Sequence, residues 1–259
     1  MGAYYLHPDV KTLKAIADAR WTEPDLRSRR SPRTDTPHDA LAITRLVANS
    51  CWAVQNPYST RVKEFIVWFG GTRGLRAGQM SRGELEEKLG QLLHHVDDLF
   101  FFSLLSRQVV TESGRRIPLA GLRVVDRLGE DMLGLYVWPT KSDNIRVARK
   151  LGAGVPNPTF EDMMVTVVHE SCHAYLTLFS DPRHRRHKAW ILDFGNHGEM
   201  FWVLYRFVSE KILHFTNSSR WRRELLNADD CEDMTKTRGK AGDWGTPERH
   251  LMGGVLYNH

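Results

Sequence analysis

Apolar positions recur at helical spacing in three long stretches of the chain and run together in two short ones. Between Thr159 and Leu178, the residues Met164, Val168, Ser171, Tyr175 and Leu178 fall on one stripe, with Val167 beside it. That spacing predicts a helix with one face in a core. Thr159 followed by Asp162 has the form of a capping box and places the start of the helix. A second stripe, Phe201, Leu204, Tyr205, Val208, Ile212 and Phe215, predicts another helix. A third helix opens at the capping box of Ser81 and Glu84 and runs to about Ser106, with Leu85, Leu89, Leu92, Leu93, Val96 and Leu99 inward.

The short runs, Leu122–Val125 and Leu133–Trp138, are rich in β-formers and are separated by a turn over Asp126–Asp131 that contains Gly129. They predict a small antiparallel sheet directly before the Thr159 helix. Leu135–Trp138 is the expected edge strand, able to take up a peptide backbone by strand addition. Nearer the start, Val10–Ala19 and Asp39–Val54 carry helical patterns. Thr60–Phe69 reads as helix or strand, stopped by Gly70-Gly71. Thr22–Pro37, rich in Arg, Ser, Pro and Asp, reads as a loop or linker, and Thr235–His259, with five glycines, as an extended tail. The fold class expected is α+β, divided into a helical N-terminal extension over 1–80, a main domain over 81–226 and a tail over 227–259.

Length and composition change this picture little. A chain of 259 residues that is 41% hydrophobic supports one sizeable domain with an extension. Three scattered cysteines, Cys51, Cys172 and Cys231, suggest a reducing compartment and no disulfide framework. The first residues lack a basic region followed by an apolar one, and no apolar run is long enough to span a membrane. The expected location is intracellular, with the nucleus as a candidate because of the basic clusters. The net charge of +5 is modest, but it is concentrated in Arg27–Arg33, Arg183–Lys188 and Arg220–Arg223. Basic residues interleaved with aromatics bind phosphates and stack on bases, which makes DNA a candidate partner. Solvated helix-end charge is the plainer reading of each cluster.

The chemistry is concentrated in His169-Glu170-Ser171-Cys172-His173. Residues four apart on a helix lie one above the other, so both imidazoles reach one metal ion. At about 100° per residue they fall on the side away from Met164. Glu170, one position round, is placed to act as general base toward a water held by that metal, the arrangement of zinc peptidases. Zinc in a catalytic site takes a third protein ligand. His197, in Asp193-Phe194-Gly195-Asn196-His197-Gly198-Glu199, stands at the start of the second helix beside glycines that permit close backbone approach. Glu199 competes with it, while His184 and His187 lie in a very polar stretch. His94 and His95 are adjacent, share no helix face well and read as structural. Cys172 reads as packing.

These residues resemble the SprT-like zinc metallopeptidase family (Spartan-related). Its pattern is H-E-x-x-H-A followed by H-G-x-x-F on the next helix, here His169–Ala174 and His197-Gly198-Glu199-Met200-Phe201. The resemblance extends from about Glu84 to about Arg223. A metzincin would place its third histidine six residues after the second; here the gap runs from 173 to 197. The resemblance implies a zincin-like fold with Zn2+ held by His169, His173 and His197, and Glu170 as catalytic base. It further implies an endopeptidase acting on protein substrates, those bound or crosslinked to DNA included. The family's C-terminal zinc ribbon is missing, since only Cys231 lies in that region. The rival readings are a non-catalytic zinc-containing DNA-binding or scaffold protein, and a zinc hydrolase of small substrates.

Overall fold

The computed structural model describes residues 8–18, 38–110, 114–129, 132–137, 144–181, 184–192 and 197–229. The expected Thr22–Pro37 loop, the Arg27–Arg33 cluster and the Thr235–His259 tail lie outside them.

Among the described residues, five α-helices precede the sheets: α1 (Val10–Asp18), α2 (Ala40–Ser50), α3 (Trp52–Gln55), α4 (Thr60–Thr72) and α5 (Arg82–Phe100). Small polar residues start four of them; at α1 the Asp9 carboxylate accepts the Thr12 N–H. The side chains of Asp39, Ser59 and Ser81 accept the backbone N–H of Ala42, Val62 and Glu84, and Glu84 reaches back to the Ser81 amide. The segment expected as one helix over Asp39–Val54 is two, because Cys51 is extended (φ −67°, ψ 159°). Thr60 onward is helix and passes through Gly70-Gly71 to Thr72. The α5 helix stops six residues short of the expected Ser106. Phe102 and Ser103 take left-handed backbone (φ 60° and 57°). The chain then turns back so that Asp97 accepts the backbone N–H groups of Leu105 and Ser106 at 2.9 and 2.8 Å. Here a buried carboxylate captures the backbone donors that a continued helix would have used.

Two sheets follow. Strands β1 (Gln108–Val110) and β2 (Arg116–Pro118) form an antiparallel pair, and β3 (Leu122–Val125), β4 (Gly134–Tyr136) and β5 (Ile145–Ala148) form a second sheet in the order β3-β5-β4. The expected small antiparallel sheet is therefore corrected. β3 runs parallel to β5, and only β4 is antiparallel to it. The two expected strands do not pair with each other, because β5 lies between them. Ile145, Val147 and Ala148 are fully buried, so β5 takes the central position where both faces and both edges are covered. β4 is an edge strand, as expected of Leu135–Trp138; Trp138 itself lies outside the described residues.

The C-terminal half holds α6 (Phe160–Phe179), a π-helical turn over Lys188–Leu192, α7 (Glu199–Thr216) and α8 (residues 219–229). The Thr159/Asp162 capping box that opens α6 forms as expected. The expectation of a single core-facing stripe does not hold. Every residue of α6 except Glu161, Asp162 and Thr177 is buried. The cause is its central position: α6 packs against α2, α5, α7, β4 and β5, which enclose it on all sides. One apolar core runs from Leu13 through Phe65, Leu92, Val168 and Phe201 to Ala228, continuous across residue 80. Among the described residues, no helix is long and apolar enough to cross a membrane.

Candidate metal centre

His169 and His173 project one turn apart from the middle of α6, and His197 precedes the first turn of α7. Their ligand atoms lie within 4.8 Å of one another, and all three side chains are buried. The Nε2 of His169 stands 2.9 Å from that of His197 and 3.2 Å from that of His173. The ring centroids form a near-equilateral triangle with sides of 5.0, 4.8 and 4.9 Å. Three imidazole nitrogens converging on one point in a buried place is the donor set of a three-histidine metal site. Neutral rings offer one lone pair each, and a cation answers all three at once. The residues present therefore fit a metal ion.

Aromatic packing fixes the rings. Phe201 stacks on His173 (4.2 Å, 21°) and meets His169 and His197 at 4.8 and 4.6 Å. Tyr205, one turn further along α7, stands edge-on to His169 at 5.1 Å. Its hydroxyl donates to Glu224 on α8 (2.7 Å), and Glu224 also accepts from Arg220 (2.7 Å). Arg220 donates in turn to Asp162 at the first turn of α6 (2.7 Å). A buried polar chain thus ties the start of α6 to the ring of its own metal-facing histidine.

Close backbone approach accounts for two glycines. A Cβ at Gly134 would lie 2.2 Å from Thr166 Cγ2 and 2.6 Å from Glu170 Oε1, so β4 rests directly on α6 at the glutamate. A Cβ at Gly198 would lie 2.3–2.6 Å from backbone atoms of Ala189, Trp190 and Ile191. The Gly198 amide donates to the Ile191 carbonyl (3.2 Å), which sets the entry of α7 and the position of His197. The expected role of glycine beside His197 is refined accordingly: Gly198 admits the π-helical turn.

Glu170 is fully buried, and neither carboxylate oxygen has a partner in hydrogen-bond geometry among the described residues. Burial pushes its carboxyl up to about 8, countered only slightly by the nearby Tyr136 backbone amide. A carboxylate left without donors beside three converging imidazoles stores a need for positive charge or a proton. A metal ion held by the three imidazoles would meet that need by Coulomb attraction.

The remaining candidates stand apart. Glu199 begins α7 but does not join the cluster, nor do His184 and His187. His184 stacks on Trp190 (4.9 Å), and burial lowers the pKa of His187. His94 faces Asp98 (3.6 Å), and His95 packs on Phe65 and Trp68. Cys172 is fully buried in the core, as packing. Of the basic clusters, Arg220 and Trp221 are buried, so that pair offers no stacking platform to a nucleic acid. Arg185 and Arg186 precede the turn that supports Gly198 and Lys188 begins it; all three are exposed. Sequence reasoning missed Gly134, Tyr136, Tyr205 and Glu224. Only Gly134 carried a usable signal, a glycine inside a β-rich run.

No family model matches the chain, and neither a curated protein nor a solved structure does so.

Proposed function

We propose that this protein is a zinc-dependent endopeptidase of SprT-like type. The observation that carries the reading is the convergence of His169, His173 and His197, with the buried carboxylate of Glu170, the residue after His169, left without a hydrogen-bond partner among the described residues. His169, His173 and His197 would hold the ion. Bound zinc supplies Lewis acidity, polarising a carbonyl oxygen and making water a competent nucleophile near neutral pH. Glu170 takes the proton of the attacking water and delivers it to the leaving amine, and its burial keeps bulk water from competing for that proton. A purely structural metal site has no use for a carboxylate left without partners, which favours the enzyme over the scaffold. Gly134 and its strand hold the sheet edge against Glu170, where an extended peptide can add as a further strand. Phe201 and Tyr205 fix the imidazole planes, so little side-chain freedom is lost when a ligand binds.

Substrates bound or crosslinked to DNA are the finer part of the proposal. It draws on the basic run Arg185, Arg186 and Lys188, which lies on the segment leading to His197. The test is proteolysis by purified protein of known zinc content, with and without single-stranded DNA, beside Glu170→Gln. Cleavage stimulated by DNA and lost in the variant is expected. Cleavage indifferent to DNA removes the DNA part and leaves the peptidase. A zinc-loaded protein that cleaves nothing under either condition makes the scaffold the better reading.

A further inference from the structure

The backbone of β4 presents two kinds of group to its surroundings. Val137 N–H donates to the Asn144 carbonyl, and Ala148 N–H donates to the Leu133 carbonyl, both at 2.8 Å. By the alternation of an antiparallel ladder, Gly134 and Tyr136 therefore direct their N–H and C=O groups to the free edge. Their side chains share one face of the strand. At Gly134 that face lies on Thr166 and Glu170 of α6. Tyr136 stands at the Glu170 end of this contact, since its backbone amide lies close enough to that carboxylate to favour the ionised form.

The Tyr136 side chain is anomalous in this place. Part of the residue is exposed, yet its hydroxyl oxygen is buried and has no hydrogen-bond partner among the described residues. A phenol that turns its polar end inward and leaves it unanswered forfeits its bonds to water without compensation. Burial also raises its pKa, so that it remains a neutral O–H donor over the working range. Unanswered polar groups persist where a ligand answers them. Here the face concerned is the one that closes over Glu170.

We propose that Tyr136 is a catalytic residue whose hydroxyl donates a hydrogen bond to the oxyanion formed when water adds to the scissile carbonyl. The proposal rests on the peptidase reading of the same site. In that step the water oxygen bonds the carbonyl carbon, and the carbonyl π pair moves to oxygen. One water proton passes to Glu170, which hands it to the departing amine as the C–N bond breaks. Tyr136 keeps its proton throughout and supplies only the hydrogen bond, stronger toward the oxyanion than toward the ground-state carbonyl.

Tyr136→Phe removes one oxygen and no hydrogen bond among the described residues. The thermal midpoint and zinc affinity of the variant should match or exceed those of the wild type, which separates it from a folding or metal defect. The expected kinetic result is a fall of about 100-fold in kcat with KM changed less than about threefold. A second arm measures binding of methylphosphonate, a tetrahedral oxyanion mimic, to zinc-loaded protein by calorimetry; Tyr136→Phe should bind at least about tenfold more weakly. If the wild type cleaves, Glu170→Gln does not, and Tyr136→Phe keeps its kcat, the proposal fails while the peptidase stands. If wild type and Glu170→Gln are equally inert, the peptidase reading fails and the catalytic role of Tyr136 fails with it; if the wild type cleaves, the methylphosphonate arm gives an independent check. Equal binding by wild type and variant, or no binding by either, overturns the role of the hydroxyl; weaker binding by the variant supports it.

Discussion

Helices α5 and α6 are of nearly equal length, 19 and 20 residues, and each opens with a capping box and carries two histidines. In α5 the histidines are adjacent, so one meets solvent and Asp98 while the other leans on Phe65 and Trp68. In α6 they are four apart, point the same way and meet a third imidazole brought by the segment entering α7. The surroundings differ as much as the spacing. The outer face of α5 is solvated, and α6 is enclosed by five elements. Two histidines on a helix are thus only half of a metal site. The other half is a second segment held against that face, with water excluded so that nitrogen lone pairs have nothing else to answer.

The helices also contrast in their carboxylates. Asp162, in the first turn of α6, would be raised by burial, but the Thr159 hydrogen bond and the Arg220 guanidinium outweigh this and hold it below the usual range. Asp97, in the last turn of α5, is pushed up to about 6 by burial, which the donors from Ser106 and Leu105 offset only in part. The ends of a helix carry opposite partial charge, so the two positions differ in the same sense as the helix dipole.

The contrast is broken most directly through the histidines. His173→Ala should weaken zinc binding by about 100-fold, roughly 3 kcal/mol, in a competition titration, whereas His94→Ala and His95→Ala should leave it unchanged. Equal losses from both helices would deny that His173 is a ligand. The caps come next. Asp162→Ala removes a cap and one of the two carboxylates that buried Arg220 pairs with, leaving Glu224, at a cost of roughly 2–3 kcal/mol in urea unfolding. Ser81→Ala loses an exposed cap alone, for about 1 kcal/mol.

Glycines should give changes of opposite sign. Gly134→Ala forces a methyl against Thr166 and Glu170 and should cost about 2 kcal/mol. Gly90→Ala, within α5 and with open space around its Cβ position, should gain about 0.5–1 kcal/mol. The smallest effect is the pH dependence. Asp97 has a folded pKa above its unfolded one, so its contribution is present below about pH 4 and lost as pH rises through about 6. Asp162 has a lowered folded pKa, so its contribution is present above the unfolded value and lost as pH falls through the folded one. The two have opposite sign in adjacent windows, Asp97 acting between about pH 4 and 6 and Asp162 below the usual carboxylate range. Asp97→Asn should therefore steepen the loss of stability on acidification, measured as the urea midpoint between about pH 6.5 and 4.

The local parts of this architecture were legible because they are written in neighbouring residues. The capping boxes at Ser81 and Thr159, the helical stripes and the H-E-x-x-H spacing all obey rules that span a few positions. The pairing of His197 with His169 and His173 was readable through the resemblance and the glycine beside it. What escaped were features set by elements distant in sequence. Nothing in Ile145–Ala148 announces that it will divide the two expected strands, since the order of a sheet is decided by which strand buries both faces. Nothing in Glu224 foretells a bond to Tyr205. The full enclosure of α6 was hidden for the same reason: an apolar stripe reports one buried face, while His169, Glu170 and Ser171 are covered by partners that their own polarity does not predict.

The polar chain from Asp162 through Arg220 and Glu224 to Tyr205 has a consequence for the order of events during synthesis. The two histidines of α6 leave the ribosome early, and His197 follows, but the carboxylate that anchors Tyr205 behind His169 belongs to a helix made later still. Until that helix has emerged and docked, Tyr205 lacks its anchor behind His169 and Arg220 has not reached the start of α6. A nascent chain halted after α7 therefore carries all three histidines and Phe201 but not the anchor of Tyr205. Completion of the support behind His169 is thereby tied to the docking of α8.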